Sequence, residues 1–302
     1  MKVLQLIDSF DYIHANCFQH QLLHVMKDSC DLTFLPLSFI DSTGIVPSEF
    51  DCVISTLKQR SLLRNVDKVA KFLKGKELVI YDQDPWEAFR DGSEFKGSYY
   101  KIADTLNVKF FAVTTKWWSD FLEDQGFPSR FVRMWMLPEY CTTDKPFTQR
   151  KIKQGFMGTV HPYRKHLFDF LATKGHTVTL LKSDSYSSFL STLSDIQIFV
   201  HSENVPITID GAQQNLGTGL WIKDVEAAAR GAFSIRNRLE GEDTYLEGLE
   251  TVKLYDSIEE VPGILESIRG IDSTERQDMI NRTVQLIKDK NSWVETVQTM
   301  IS

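Results

Sequence analysis

Short apolar runs alternate with amphipathic stretches along the whole chain. The apolar runs predict strands at 2–7, 32–37, 51–55, 77–81, 108–114, 131–137, 155–159, 177–181, 196–201, 233–235 and 252–255. Apolar residues at helical spacing predict helices at 16–27, 57–73, 116–125, 164–173, 258–268, 273–288 and 293–301. Strands that alternate with helices indicate parallel pairing, so the pattern predicts open α/β sheets.

The apolar pattern lapses once, between Thr142 and Lys153, in a polar stretch that contains Pro146. We interpret this stretch as a linker between an N-terminal Rossmann-like domain, 1–148, and a C-terminal one, 149–302. The last predicted helix is expected to pack back onto the first domain. Two successive α/β halves favour a ligand in the cleft between them, where the carboxyl ends of the strands meet.

Composition restricts the class of protein more than its function. Hydrophobic residues make up 42% of the 302 positions and charged residues 25%, as in soluble globular proteins. A net charge of -7 argues against non-specific nucleic-acid binding by the whole surface, but leaves a local basic patch open. The four cysteines lack C-x-x-C spacing and fit free thiols. No apolar run has the length of a membrane span and the chain starts in a strand, so we expect a cytoplasmic location.

A glycine-bracketed turn followed by a short helix occupies residues 217–231. Gly217 and Gly219 leave the backbone bare where the helix begins, and its unpaired amides and positive dipole end favour a phosphate there. Lys223 and Glu226 project from the same side of this helix. The lysine can hold a phosphate, and the glutamate can accept hydrogen bonds from sugar hydroxyls. The alternative interpretation is a buried connector helix that ends at a glycine cap.

This stretch resembles the donor-binding signature of nucleotide-sugar glycosyltransferases with the GT-B fold, in the form Gly217-Thr218-Gly219-x-x-x-Lys223-x-x-Glu226-Ala227-x-Ala229-x-Gly231. The segments 156–164 and 254–293 are similar to the C-terminal domain of the spore-maturation (CgeB-like) branch, and 81–86 and 113–115 are weaker matches to it. The resemblance implies two Rossmann-like domains that face each other across a cleft. It also implies a hexosyl- or pentosyltransferase that moves a sugar from a nucleoside-diphosphate sugar to an acceptor hydroxyl.

The same resemblance implies roles for individual residues. Glu226 would bind the ribose hydroxyls of the donor, a UDP-sugar by expectation, while Lys223 and Arg164 would neutralise its diphosphate without a metal. The remaining donor-binding residues implied are Gly158, Thr159, His161, Gly217, Thr218 and Gly219. Many relatives carry a second glutamate eight residues before the first, where this chain has Thr218. The identity of the sugar and the stereochemical course therefore stay open.

Acid–base groups are expected from the first domain, and Asp11, His14 and Asp84 are the candidates. If configuration inverts, one of them deprotonates the acceptor hydroxyl. If configuration is retained, no base is needed and His14 contacts the sugar. Each also has a structural interpretation, as a turn, cap or helix-start residue. Asp82-Gln83-Asp84 has the spelling of a D-x-D metal motif, but Pro85 and Trp86 follow at once and favour a turn.

The acceptor is less constrained than the donor, and a glycan, a lipid-linked molecule, a small molecule or a modified DNA base all stay open. Basic residues recur at helical spacing and predict either a solvated face or a patch for an anionic acceptor or the inner membrane surface: Arg60, Arg64, Lys68, Lys71 and Lys74. Four tryptophans, Trp86, Trp117, Trp118 and Trp135, are candidates for stacking or for the core. Two further functions remain, a nucleotide-sugar epimerase of the same fold and a non-catalytic nucleotide-sugar-binding protein.

Overall fold

The structure, a computed structural model, describes residues 1–11, 17–203, 207–214, 222–238, 246–290 and 292–302. His14 and the glycine turn 217–219 lie outside these described residues. Within the described ranges, none of the helices combines the length and the hydropathy that a membrane crossing requires.

Six parallel strands form the first sheet, in the order β2-β1-β3-β4-β5-β6. They are β1 (Lys2–Ile7), β2 (Asp31–Pro36), β3 (Cys52–Ser55), β4 (Leu78–Asp82), β5 (Val108–Val113) and β6 (Ser129–Phe131). The helices of this half are α1 (Cys17–Ser29), α2 (Gln59–Arg64), α3 (Val66–Leu73), α4 (Ser98–Thr105) and α5 (Lys116–Asp124). The central strands are apolar almost throughout because helices of an α/β fold cover both faces of the sheet.

The second sheet contains five parallel strands in the order β13-β12-β9-β7-β8. They are β7 (Ile152–Met157), β8 (Thr179–Leu181), β9 (Ile196–Val200), β12 (Phe233–Asn237) and β13 (Val252–Tyr255). An antiparallel hairpin, β10 (Ile207–Ile209) with β11 (Ala212–Gln214), follows β9. The helices are α6 (Pro162–Thr173), α7 (Tyr186–Leu193), α8 (Lys223–Ala229), α9 (Val261–Gly270), α10 (Ser273–Asp289) and α11 (Trp293–Ile301).

The two sheets share one topology. In each, the first strand lies between the second and the third, so the direction of winding reverses beside β1 and beside β7. Ligands of open α/β sheets bind at such switch points, outside the carboxyl ends of the strands. The prediction of parallel α/β sheets from the apolar pattern is confirmed, and the fold puts the residues after β1, β3, β7 and β9 at the two switch points. The division at residues 148 and 149 stays a prediction.

The predicted strand 131–137 is wrong over most of its length, because β6 ends at Phe131. Val132 still donates to the carbonyl oxygen of Val113 in β5, but Arg133 and Trp135 bond to the C-terminal helices. The backbone amide of Arg133 donates to Oγ1 of Thr296, and the indole of Trp293 donates to the carbonyl oxygen of Trp135 at 2.6 Å. The apolar run is therefore buried against α10 and α11, and the last helix contacts α1 and β3 of the first half.

The predicted helix 57–73 is also wrong in one respect, because it is two helices that meet at Asn65. Helices α4 and α7 and the hairpin were not predicted; α4 and α7 are short and bury only a few side chains each. Short 3₁₀ turns are found at Leu37–Phe39, Pro47–Glu49, Pro85–Ala88, Pro138–Tyr140, Phe147–Gln149 and Ile258–Glu260.

The hairpin crosses from the second half to the first. Ile207 and Ile209 are buried in the hydrophobic core of the first half. The amide of Asp91 donates to the carbonyl oxygen of Thr208 at 2.7 Å, and Lys96 contacts both Asp91 and Asp210. The hairpin thus ties the segment after β4, which carries Asp84, to the second half of the chain.

Candidate active site

A lysine lies directly against the loop that follows β7. Gly158 has a φ of +142°, and a Cβ at this position would lie 2.7 Å from Nζ of Lys223. Lys223 is the first residue of α8, which packs against β12. Because Gly158 has no side chain, the ammonium group can approach the backbone at the carboxyl end of β7. The arrangement holds a cation beside exposed Thr159 and His161.

A cavity of about 580 Å³ opens at this point. Its lining residues are Met157, Gly158, Thr159, Val160, Leu180, Leu181, Lys182, Ser183, Phe189 and Lys223. The lining combines apolar side chains with two lysines, Lys182 and Lys223. The volume and the mixed lining are typical of a small-molecule site.

Arg164, on the first turn of α6, is buried beside this loop. Its guanidinium donates to the carbonyl oxygens of Thr159 at 2.7 Å and Ser202 at 3.0 Å, and to Oε1 of Glu203 at 2.5 Å. The guanidinium group of Arg164 therefore links the loop after β7 to the loop after β9. This bonding fixes the loop that precedes α6.

His201 lies fully buried between two carboxylates. Its Nε2 is 2.5 Å from Oε1 of Glu203, and its Nδ1 is 3.0 Å from Oδ2 of Asp224. Nη2 of Arg164 also lies 3.4 Å from Nε2, so charged groups enclose the ring on both sides. Asp224 also accepts from Ser234 at 2.5 Å and from Arg236 at 3.1 Å.

These groups form a continuous buried ionic network, Arg164–Glu203–His201–Asp224–Arg236. Burial alone would raise the pKa of Glu203, but His201, Arg164 and Lys223 lower it overall. Burial also opposes ionisation of Asp224, yet His201 and Arg236 hold its pKa well below the usual range. Both carboxylates are ionised near neutral pH, and the guanidinium groups of Arg164 and Arg236 balance their charge. With Lys223 added, the site at the end of β7 has an excess of positive charge.

Asp84 approaches this network from the first half of the chain. Burial and the charge of Asp82, with smaller contributions from Glu203 and Glu87, raise the pKa of Asp84 to about 7, against the lowering effect of a hydrogen bond from Trp86. Glu203 belongs to the second half, so a charge on the opposite side of the cleft contributes to the pKa of Asp84. A carboxyl group that titrates near neutral pH is suited to proton transfer.

Two aromatic rings border the same entrance. His161 and Tyr163 stack with centroids 5.6 Å apart and planes within 12°. Burial raises the pKa of the Tyr163 phenol, as do the charges of Glu203 and Asp84, against the opposite effect of Arg164. Burial and the nearby Arg164 lower the pKa of His161. Both rings are therefore neutral near pH 7 and offer a flat apolar surface beside the cations.

Glu226 lies away from the surface, with no solvent exposure in the described structure. Its Oε1 accepts a hydrogen bond from the hydroxyl of Tyr186 at 2.9 Å. The same hydroxyl accepts a bond from Nε2 of Gln21, on α1 of the first half, at 2.7 Å. Glu226 and Lys223 both belong to α8, as predicted, but the glutamate side chain is directed to the junction of the two halves.

The structure thus brings together some of the predicted residues and separates others. Gly158, Thr159, His161, Arg164 and Lys223 share the entrance at the end of β7. Asp84, from the first half, is near enough to this network for the charge of Glu203 to raise its pKa.

Asp11 is exposed after β1. Among the described residues, its side chain shows no contact with the ionic network. His14, Gly217, Thr218 and Gly219 lie outside the described residues.

Sequence reasoning missed Glu203, Asp224 and Arg236 as site residues. A signal existed, because Arg236 stands in the otherwise apolar strand Phe233–Asn237 and Asp224 in a helix whose following residues are all apolar or buried. Charged residues in such positions require partners. The identity of those partners follows only from the fold, which places β9, α8 and β12 side by side.

The basic residues between Arg60 and Lys74 do not lie on one helix face. The break at Asn65 separates Arg60 and Arg64 from the lysines on α3, and Lys68 pairs with Asp41 at 2.9 Å. Of the four tryptophans, Trp118 and Trp135 are buried in the core, while Trp86 and Trp117 are half-buried.

The D-x-D spelling forms a turn. The backbone amide of Asp84 donates to Oδ1 of Asp82 at 2.9 Å, and the hydroxyl of Tyr99 donates to Oδ2 at 2.8 Å. In the part of the chain that the structure describes, no group of three or more His, Cys, Asp or Glu residues is arranged to hold a metal ion.

The sequence matches no model of a known protein family, and no curated protein sequence matches it. Solved structures do match over the whole chain. An alpha-glucosyltransferase in complex with UDP-glucose and DNA containing an abasic site aligns with a TM-score of 0.67 and 10% identity, over 100% of this chain and 99% of that one. HepE of Anabaena in complex with UDP-glucose aligns with a TM-score of 0.63 and 12% identity, over 99% and 98%. T4 phage BGT with its UDP-glucose substrate aligns with a TM-score of 0.59 and 9% identity, over 100% of each chain.

Proposed function

We propose that this chain, which adopts the GT-B fold, is a glycosyltransferase that moves a sugar from a UDP-sugar to an acceptor hydroxyl. The observation that carries the proposal is the cationic entrance at the end of β7. There Lys223 lies against Gly158, and Arg164 is fixed beside it by Thr159 and Glu203. The match to structures that hold UDP-glucose supports the choice of donor.

Displacement of a nucleoside diphosphate from an anomeric carbon builds negative charge on the leaving phosphate. Lys223 would bind that phosphate directly, and Arg164 would hold the loop after β7 in place and add positive potential. Their positions are set before the donor arrives, so little reorganisation accompanies the reaction. Fixed cations can stabilise this charge without a metal, and we propose a metal-independent reaction.

Glu226 is proposed to bind the ribose of the donor, as the family resemblance implies. Its carboxylate is one turn along α8 from Lys223, and the hydroxyl of Tyr186 donates a hydrogen bond to it. A carboxylate accepts several hydrogen bonds, so Oε1 can keep the tyrosine while the group receives ribose hydroxyls. Donor binding then requires solvent-side access to a group that is buried in the described structure.

Asp84 is proposed as the acid–base group in preference to Asp11, whose side chain is exposed after β1. With a pKa of about 7 it is partly ionised at neutral pH, and it faces the network from the acceptor half. In an inverting reaction it would take the proton of the acceptor hydroxyl. In a retaining reaction its role would be to orient the acceptor.

The acceptor is proposed to bind at the carboxyl ends of the first sheet, beside Asp84. Arg60 and Arg64 are exposed there, after β3, and can contact an anionic acceptor. Two matching structures hold DNA, one of them a 13-mer with an HMU base, so a hydroxymethylated DNA duplex belongs among the acceptors to test. Free thiols at Cys30, Cys52 and Cys141 support a reducing compartment such as the cytoplasm.

A thermal-shift screen tests the donor site. UDP-, GDP-, CDP-, dTDP- and ADP-sugars are added to the full chain, with magnesium or with EDTA. We expect a UDP-sugar to raise Tm in both conditions, because a ligand that binds the native state stabilises it. Lys223→Ala should abolish the shift, while Lys165→Ala, which removes an exposed lysine paired with Asp169, should keep it. No shift with any nucleotide sugar would overturn the proposal.

Turnover tests the enzyme class. The donor that binds is incubated with glycan, lipid-linked, small-molecule and hydroxymethylated-DNA acceptors, and sugar transfer and UDP release are measured together. Transfer that depends on Lys223 is the expected result. Isomerised nucleotide sugar without transfer would identify an epimerase, and binding without any chemistry would identify a non-catalytic binding protein.

A further inference from the structure

A second cavity lies at the opposite edge of the second sheet. Its volume is about 690 Å³, and it opens where β7 and β9 begin and where α6 leads into β8. The polar residues that matter in its lining are Lys153, Gln154, His176, Gln197, Arg269 and Arg276. Lys153 and Gly158 are five residues apart along an extended strand, so the two sites are separated by about 16 Å. This cavity is not part of the donor entrance.

The lining of this cavity is cationic. Lys153, Arg269 and Arg276 carry positive charge, and the lining contains no carboxylate. Glu266, outside the lining, partly balances the charge, since its Oε1 lies 2.7 Å from Nη1 of Arg269 and 3.7 Å from Nε2 of His176. The remaining excess of positive charge favours an anionic ligand.

Two buried polar groups in the cavity wall lack part of their hydrogen bonding. Arg276 is only 8% exposed and donates through Nη2 to the carbonyl oxygens of Arg269 and Ile271, but its Nε has no hydrogen-bond partner among the described residues. Oε1 of Gln154, which is 3% exposed, also lacks one in that part of the chain. Buried polar atoms are normally satisfied, so these two mark a place where the protein alone does not complete its bonding.

We propose that this cavity binds a small phosphate-bearing molecule at a site separate from the donor site. Lys153 and Arg269 are the charged groups that can move toward the ligand, because both are exposed at the rim. Arginine and lysine are the side chains that bind phosphate groups most strongly, the former through its planar fork. Arg276, anchored to two carbonyl oxygens, supplies positive charge from the wall.

Pyrophosphate is the probe, and calorimetry on the full chain is the measurement. We expect two classes of site in the unmodified protein. Lys153→Ala combined with Arg269→Ala should weaken one class at least tenfold, and Lys223→Ala should remove only the other. Because these three side chains are exposed or half-buried, the variants are expected to fold, and the Tm of each is measured without ligand.

Two further variants complete the test: a control that removes the same charge elsewhere, and a variant expected to strengthen binding. Lys151→Ala combined with Arg282→Ala removes the same charge from exposed positions outside the cavity and should leave both classes of site unchanged. Glu266→Gln removes the carboxylate that contacts Arg269 and should tighten binding. Equal weakening by the control pair, or an isotherm that the Lys153 and Arg269 changes do not alter, would overturn the proposal. Loss of the Lys223 class alone would instead concern the donor site.

Discussion

The hydroxyl of Tyr186 donates a hydrogen bond to Oε1 of Glu226 at 2.9 Å, in the buried junction between the two halves. Gln21 reaches the same hydroxyl from the first half, and its own Oε1 accepts from the amide of Leu137 and the indole of Trp293. A carboxylate on the helix that begins at the donor entrance is thereby bonded, through one tyrosine, to the opposite half. Side chains from helices α1, α7, α8 and α11 meet at this point.

Tyr186→Phe should destabilise the protein by about 1–3 kcal/mol, because a buried carboxylate loses a donor and Gln21 loses an acceptor. Urea denaturation at pH 7 measures the change in the free energy of unfolding. Tyr100→Phe, at an exposed hydroxyl, is the control and should change it little. Equal stability of the Tyr186 variant and the unmodified protein would show that the bond contributes nothing.

Glu226→Ala should weaken nucleotide-sugar binding tenfold or more, since loss of a hydrogen bond to a charged group costs about 1.5–3 kcal/mol. Tyr186→Phe keeps the carboxylate and should retain donor affinity despite its lower stability. Calorimetric titration of both variants with the donor separates the two effects. If Glu226→Ala binds the donor as tightly as the unmodified protein, Glu226 does not contact the ribose.

Asp84→Asn should abolish transfer and remove an ionisation near pH 7 from the pH profile of kcat. The pKa of Asp84 is about 7 in the folded protein and about 4 in the unfolded chain. Between about pH 4 and 7, Asp84 is therefore protonated in the folded state and ionised in the unfolded state. Stability from this group therefore falls as pH rises through that window. The asparagine variant should lose that dependence and be relatively more stable at pH 8 than at pH 5.

Glu87→Gln serves as the control for Asp84, because it removes a neighbouring carboxylate that contributes only slightly to the shift. It should keep activity and move the ionisation to slightly lower pH. A profile for Asp84→Asn that matches the unmodified protein would exclude proton transfer by Asp84.

Asp224→Asn should cost about 3–5 kcal/mol at pH 7, because it leaves His201 and Arg236 without their shared buried carboxylate. The folded pKa of Asp224 is depressed, so its contribution is present above the ordinary carboxyl pKa and is lost as pH falls below about 4. The difference between variant and unmodified protein should therefore shrink at pH 3.5. Urea denaturation at pH 7, 5 and 3.5 measures it, with exposed Asp120→Asn as the control. A difference that is constant with pH would contradict the network.

Gly158→Ala should lower donor affinity by displacing Lys223, since the added Cβ would lie 2.7 Å from its Nζ. It also places a side chain at a φ of +142°, a conformation that costs about 1–3 kcal/mol. Gly175→Ala is the matched control, because its φ is also positive at +81° but the space around it is open. Both variants should lose stability, and only Gly158→Ala should lose affinity. Equal donor affinity in the two would show that Lys223 adapts without cost.

Much of the fold follows from local pattern. The helix at Trp293–Ile301 and the strand at Val252–Tyr255 have the predicted bounds, and the residues at the end of β7 were identified as donor-binding candidates. These features depend on residues that are neighbours in sequence. Apolar spacing selects the element, and the carboxyl ends of parallel strands locate the ligand edge.

The failures share one cause. Residues 131–137 have the composition of a strand, but their backbone and indole groups bond to helices more than 150 positions away, as between Trp135 and Trp293. The hairpin at 207–214 is short, and the first half buries its two isoleucines. The hydrophobic pattern of a short segment cannot show which distant residues it will contact.

By itself, the sequence determined that this is a parallel α/β protein of two similar halves, with cations and glycine where β7 ends and where α8 begins. Only the tertiary structure decided that His201 lies between Glu203 and Asp224, that Asp84 feels Glu203 across the cleft, and that Glu226 bonds to Tyr186. The physical reason is range. Strand and helix formation depends on neighbours along the chain, whereas the ionisation and orientation of a buried group depend on charges that the folded chain brings within a few ångströms.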